Sequence, residues 1–302
     1  MPDNLHSMTL IERFMLDVST VVDKALDDLL PVADTEPARL HEAMRWSMFA
    51  GGKRIRPGIL FAAGRTFGAD EQMLVRTAVA IEMIHTFSLI HDDLPAMDDD
   101  DLRRGRETCH KKFDEATAIL AGDALLAQAF EVVACDENLS PELRLKLVSQ
   151  IANASGTPMG MVAGQQLDLE AEGQTINIEE LENIHARKTG ALITVSAMAG
   201  AMIAGANSAE VAAVELYASK IGLLFQITDD LLDVTQATET LGKTAGKDAI
   251  AEKATYPGHF GIEATREMAD KVRGEAADAL GTIDRDTALL LEFADLIAGR
   301  SK

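Results

Sequence analysis

The chain has 302 residues, 47% hydrophobic and 25% charged, enough for a large buried core and too apolar for a disordered polymer. Its formal net charge of -21, with no basic arm, argues against a nucleic-acid backbone as partner. With 8 prolines, aromatics at 4%, and no runs of alternating Val, Ile, Thr and Tyr, the composition favours an all-helical protein over sheet.

The first helix is predicted over residues 9 to 30, where Leu10, Phe14, Val18, Val21, Val22, Ala25 and Leu29 recur at helical spacing until Pro31. A second is expected over 38 to 50, broken by Gly51 and Gly52, and a third runs from Pro57 in its first turn to about Phe67. The next begins near Glu71 and runs into a cluster of aspartates, followed by a loop from Arg106 to Lys112. Further helices are predicted over 115 to 135, 141 to 154, 158 to 171, 178 to 187, 189 to 205, 208 to 235, 260 to 280 and 285 to 299. No fixed-period repeat or long linker divides the chain, so one domain over 1 to 302 is expected. No run approaches the ~20 uninterrupted apolar residues of a membrane span. The first residues lack a signal-peptide layout, and Cys109 and Cys135 lack metal-type spacing. A cytoplasmic protein without stable membrane insertion is expected.

Two acidic constellations carry the chemistry. In "LIHDDLPAMDDDDLRRGR" (89 to 106), six aspartates fall within ten positions, with Arg103, Arg104 and Arg106 just behind them. In a regular helix Asp92 and Asp98 would point about 240° apart. Pro95 breaks that regularity, so the two can converge. Carboxylates at the end of a buried helix repel unless cations neutralise them. Oxygen donors select a hard cation such as Mg²⁺, which also binds phosphates, and the arginines are direct phosphate donors. On this stretch alone, a solvated acidic loop is an equal reading.

The second constellation, "FQITDDLLD" (225 to 233), also ends an apolar helix, and Asp229 and Asp233 share one face. Two such helix ends are hard to attribute to chance.

Together with "GGKRIRP" (51 to 57), "EMIHTFSLIHDDLPAMDDDDLRRG" (82 to 105), "GDALLAQAF" (122 to 130), "GQQLDLE" (164 to 170), "KTG" (188 to 190), "LGKTAGKD" (241 to 248) and "KATYP" (253 to 257), the chain resembles the trans-isoprenyl diphosphate synthases. Within that family it is most like the bacterial farnesyl diphosphate synthases. The resemblance implies a single antiparallel helical bundle around a central apolar cavity, a homodimer, and Mg²⁺ held by Asp92, Asp98 and Asp93 facing Asp229, Asp230 and Asp233. Asp168 would support metal-bound water. Arg103, Lys188 and Lys243 would hold the allylic diphosphate, and Lys53, Arg56, His85 and Arg104 isopentenyl diphosphate; Lys247 and Lys253 are weaker phosphate candidates. Lys188, Thr189 and Gln226 would lie by the allylic cation as catalytic groups. Phe87, five residues or about 7.5 Å before Asp92, would be the floor that stops the growing chain, with the small Ser88 leaving room. The C-terminal Arg300 or Lys302 would help close the site.

The implied reaction is Mg²⁺-dependent head-to-tail condensation of isopentenyl diphosphate with dimethylallyl or geranyl diphosphate, giving mainly farnesyl diphosphate. Geranylgeranyl diphosphate synthesis is the alternative. A class I terpene cyclase has no need of Lys53, Arg56 and His85, and "DDLLD" argues against it. A noncatalytic regulatory subunit is the reading outside enzymology.

Overall fold

A computed structural model describes residues 8–240 and 255–300, the side chains of 236–240 aside. Helix α1 (Leu10–Leu29) starts in a capping box: Glu12 N–H donates to Thr9 Oγ1 at 3.3 Å and Thr9 N–H to Glu12 Oε2 at 2.8 Å. Its buried stripe is Ile11, Phe14, Val18, Val22 and Leu26, whereas Leu10 and Val21, part of the apolar spacing in the sequence, face outward.

Helices α2 (Ala38–Met48), α3 (Ile55–Thr66) and α4 (Glu71–Asp92) follow. A two-residue hairpin, β1 (Leu102–Arg103) with β2 (Arg106–Glu107), and a short helix α5 (Cys109–Lys112) occupy the stretch after the aspartates. The expected loop from Arg106 to Lys112 is thus ordered, because Thr108 Oγ1 donates to the Asp100 carbonyl at 2.8 Å and ties the segment to the acidic loop.

The remaining helices are α6 (Glu115–Ala134), α7 (Pro141–Ser155), α8 (Met161–Ala171), α9 (Ile178–His185), α10 (Ala191–Ile203), α11 (Ser208–Thr240), α12 (Tyr256–Phe260), α13 (Ile262–Leu280) and α14 (Ala288–Ala298). A π-helical turn, Ala186–Gly190, links α9 to α10 and carries Lys188 and Thr189. Such turns are uncommon and recur at functional sites. The only sheet among the described residues is the small hairpin, so the all-helical expectation holds.

One hydrophobic cluster runs from Ile11 to Ile297. At its centre α4 packs on α3 and α6, and α10 packs on α3 and α11. The α3–α10 approach depends on Gly200, where any Cβ would collide with the Leu60 carbonyl. This arrangement corrects one expectation: three helices, Glu71–Asp92, Glu115–Ala134 and Ser208–Thr235, are long and apolar enough to cross a membrane. Helices enclosed on several sides lose the polar face of a surface helix. The apolar stretch of α4 is the most enclosed of the three, while α6 leaves Ile119 and Leu120 exposed.

Candidate active site

The two acidic motifs border the same cavity. It measures about 450 Å³ and is lined by Asp92 from α4 and Asp229 from α11, with Lys188, Thr189, Gln226, Phe87, Ser88, Met161 and Leu169 among its other walls. Residues 137 positions apart in sequence (229 − 92) therefore share one pocket because α4 ends at it and α11 runs along it, continuing to Thr240 rather than ending at the second aspartate motif as expected. Among the described residues no three potential metal-ligating side chains already converge on one point.

After Asp92 the chain folds back on its own helix end. Asp98 N–H donates to the Asp92 carbonyl at 2.9 Å and Asp100 N–H to the Asp93 carbonyl at 3.2 Å. The Asp98 charge thereby comes close enough to Asp92 to help raise its pKa. Burial is the main cause; with Asp98 and Asp93 adding to it and Lys188 and Arg103 opposing, the Asp92 carboxyl is pushed up to about 6. Burial likewise raises Asp229 against the opposing charge of Arg300, and Asp233 by itself. It pushes Asp230 up to about 6 despite the Tyr256 N–H bond of 2.9 Å. Asp92, Asp229 and Asp230 are half-buried and Asp233 is exposed; together these carboxylates make a wholly oxygen donor set, which fits a hard divalent cation. The solvated-loop reading also has its share: Asp98, Asp99, Asp100 and Asp101 are exposed, and Asp101 pairs with Lys111 at 2.7 Å.

A second, basic cavity of about 570 Å³ adjoins the first, sharing Arg56, His85 and Phe225. Lys53, Arg104 and Arg300 complete its cationic lining, with Arg54 and Glu82 behind. Burial lowers the affinity of Arg56 for its proton to about 10, and burial followed by the charges of Arg56 and Arg104 holds His85 well below its ordinary value, so His85 is neutral. A side-chain nitrogen of each, Arg56 Nε and His85 Nδ1, is buried without a partner. Buried donors left unmatched in a basic cavity suit an anionic guest. Arg300 ties the C-terminus to the site through Asp229 at 2.9 Å and stacks 4.1 Å from the Phe225 ring centroid.

This geometry matches a known group of proteins. A family model described as Polyprenyl synthetase covers residues 37–285. The chain belongs to the polyprenyl synthetase family. It is 48% identical over 95% of its length to the heterodimeric geranylgeranyl pyrophosphate synthase large subunit 1 of Arabidopsis thaliana, covering 78% of that protein. To the geranylgeranyl pyrophosphate synthase of Catharanthus roseus it is 47% identical over 96% of its length, covering 81% of the relative. Among solved structures, an FPP/GFPP synthase from Zymomonas mobilis superposes with a TM-score of 0.86 at 38% identity, over 95% of this chain and 98% of that one. As a polyprenyl synthetase the chain is a prenyl diphosphate synthase, a transferase of isoprenoid biosynthesis whose family uses isopentenyl and allylic diphosphates.

Some expected site residues of this polyprenyl synthetase stand elsewhere. Arg103 lines neither large cavity; it is paired with Asp93 at 2.5 Å and Asp100 at 3.4 Å, which draws both Arg103 and buried Asp93 behind the hairpin. Arg106 is not a phosphate donor beside the aspartates, since its guanidinium stacks on Trp46 and donates to the Phe49 carbonyl. Asp168 accepts Lys188 Nζ at 2.5 Å and so positions that lysine on the cavity wall. Lys243, Lys247, Lys253 and Lys302 lie outside the described residues.

Sequence reasoning missed Arg54 and Glu82. Arg54 has left-handed backbone geometry (φ 49°), turns inward, and meets Glu82 at 2.8 Å and Asp23 at 2.8 Å. The signal was available: Glu82 is a carboxylate inside "VAIEMIHTF", and a charge in so apolar a run demands a buried partner.

Proposed function

We propose that the protein condenses isopentenyl diphosphate head-to-tail with allylic diphosphates, using Mg²⁺, and releases geranylgeranyl diphosphate. The observation that carries this reading is the apolar cavity walled by both aspartate motifs and opening beside a basic pocket. An allylic chain fits the apolar cavity with its diphosphate toward Asp92 and Asp229; the isopentenyl diphosphate fits the basic one. The names of the relatives support geranylgeranyl diphosphate as product.

In the reaction the allylic C–O bond breaks and its electron pair leaves with the diphosphate. The isopentenyl double bond then supplies the pair for the new C–C bond, and a proton is lost from the isopentenyl unit to the released diphosphate. Asp92 and Asp98, with Asp229, Asp230 and Asp233, would hold Mg²⁺, which supplies charge neutralisation for the departing diphosphate, while Asp93 stays paired with Arg103. Lys188, fixed by Asp168, adds a preorganised cation on the same wall. Lys53, Arg56, His85 and Arg104 hold the isopentenyl diphosphate. Thr189 and Gln226 present oxygen dipoles to the allylic cation, and the apolar walls shield it from water.

A second product reading, farnesyl diphosphate, is favoured by Phe87, a bulky ring on the cavity wall that shortens the space below Asp92. A homodimer belongs to the proposal; one relative is by name a subunit of a heterodimeric synthase.

The test is incubation of purified protein with Mg²⁺, labelled isopentenyl diphosphate and, separately, dimethylallyl, geranyl or farnesyl diphosphate, with chain length read after dephosphorylation. Geranylgeraniol as the main product upholds the first reading and farnesol the second. No product with any primer refutes the enzyme reading and favours a noncatalytic subunit.

A further inference from the structure

Trp46 is the chain's single tryptophan, and nothing in the reaction above uses it. It sits near the end of α2, five residues before Gly51. Its indole N–H donates to the Glu107 carbonyl on β2 at 2.9 Å. The guanidinium of Arg106, on the same strand, lies 3.9 Å from the indole centroid, and Lys112 Nζ lies 4.9 Å from it. Arg106 Nη1 also donates to the Phe49 carbonyl at 3.1 Å, so the end of α2 and the hairpin are bound on two sides.

This clasp lies beside the basic cavity and joins the end of α2, which leads into that cavity's wall, to the hairpin that carries Arg104. Residues 50 to 56 form one wall, and Arg104, in the turn between β1 and β2, reaches across to donate to the Gly51 carbonyl. Arg104 has left-handed backbone geometry (φ 53°), a conformation that persists where its surroundings enforce it. Lys53 and Arg56 on one side and Arg104 on the other line the same cavity, and like charges push these segments apart. An aromatic ring can hold Arg106 by its π face without adding a carboxylate that would compete with a diphosphate for the cations.

We propose that Trp46 is a positioning residue for the isopentenyl diphosphate: it touches no substrate but holds the hairpin so that Arg104 stands against Lys53 and Arg56. This rests on the reading of the basic cavity as a diphosphate site. The test compares the full-length wild type with Trp46→Ala, Trp46→Phe and Arg106→Gln, varying each substrate in turn. Calorimetry with inorganic pyrophosphate gives a readout independent of turnover. For Trp46→Ala and Arg106→Gln, KM for isopentenyl diphosphate is expected to rise about tenfold, with KM for geranyl diphosphate and kcat within about twofold. Trp46→Phe, which keeps a ring face for Arg106, is expected to recover most of the loss.

Unchanged kinetics in Trp46→Ala, or equal loss in both KM values and kcat without rescue by Phe, would overturn the proposal. Should Trp46→Ala not fold, the Arg106→Gln split decides alone. A wild type that neither condenses substrates nor binds pyrophosphate refutes the underlying site reading instead.

Discussion

Arg54 and Glu82 form a fully buried ion pair, Nη1 to Oε1 at 2.8 Å, against the wall of the basic cavity. Arg54 also donates to the Met48 carbonyl at 3.0 Å, so one guanidinium joins α1, α2 and α4 at the loop carrying Lys53 and Arg56. Burial alone would lower the Arg54 pKa, but Glu82 and Asp23 outweigh it and raise it. Removing one partner of a buried pair leaves the other charge stranded, so Glu82→Ala is expected to cost about 3–5 kcal/mol of stability. Urea unfolding checks this. The double variant Arg54→Met, Glu82→Leu is expected to recover much of the loss, since the only charge left without its partner is Asp23, whose exposed carboxylate water can solvate.

Phe87 and Ser88 line the cavity below Asp92, and the Phe87 ring meets His91 edge-on at 4.9 Å between centroids. Truncation to Ala deepens the space available to the prenyl tail. Phe87→Ala is expected to shift products to longer chains by one or more isoprene units, read by chromatography of the dephosphorylated alcohols. An unchanged distribution removes Phe87 from the floor.

Burial sets Asp92 and Asp230 at about 6, above the usual carboxylate value of 3.8. A carboxyl whose folded pKa is raised binds its proton more tightly in the folded state, so this contribution to stability is present at low pH and lost as pH rises through about 6. A divalent cation binds the deprotonated form. Mg²⁺ with inorganic pyrophosphate is therefore expected to raise the melting temperature more at about pH 7.5 than at about pH 5.5. Scanning calorimetry at the two pH values checks this, and equal gains would contradict it.

Gly200 lets α10 lie directly on the backbone of α3 at Leu60. A methyl group there meets a carbonyl oxygen, which cannot swing aside as a side chain can. Gly200→Ala is expected to lose about 1–3 kcal/mol, the usual scale for an overpacked core. Denaturant titration measures it, and a neutral result would mean the two helices separate freely.

Much of the bundle was legible because helix periodicity and its breakers act locally: Pro31, Gly51 and Gly52 end or interrupt helices where expected. The exceptions have nonlocal causes. The outward Leu10 and Val21 of α1 follow from which stripe meets the core, and the hairpin after the aspartates follows from Trp46 and Thr108 contacts. The aspartate motifs and most of the basic residues could be named from residue type, spacing and family resemblance, since chemistry restricts what can bind a cation or a diphosphate. The sequence by itself determined helix content and the inventory of charged groups. Tertiary structure decided which charges face a cavity and which neutralise one another: Arg56 lines both cavities while Arg54 turns to Glu82, and Arg104 lines one while Arg103 turns to Asp93. Neighbouring arginines are equivalent as sequence. They diverge because backbone direction at each residue selects its partner, and only the packed helices fix that direction.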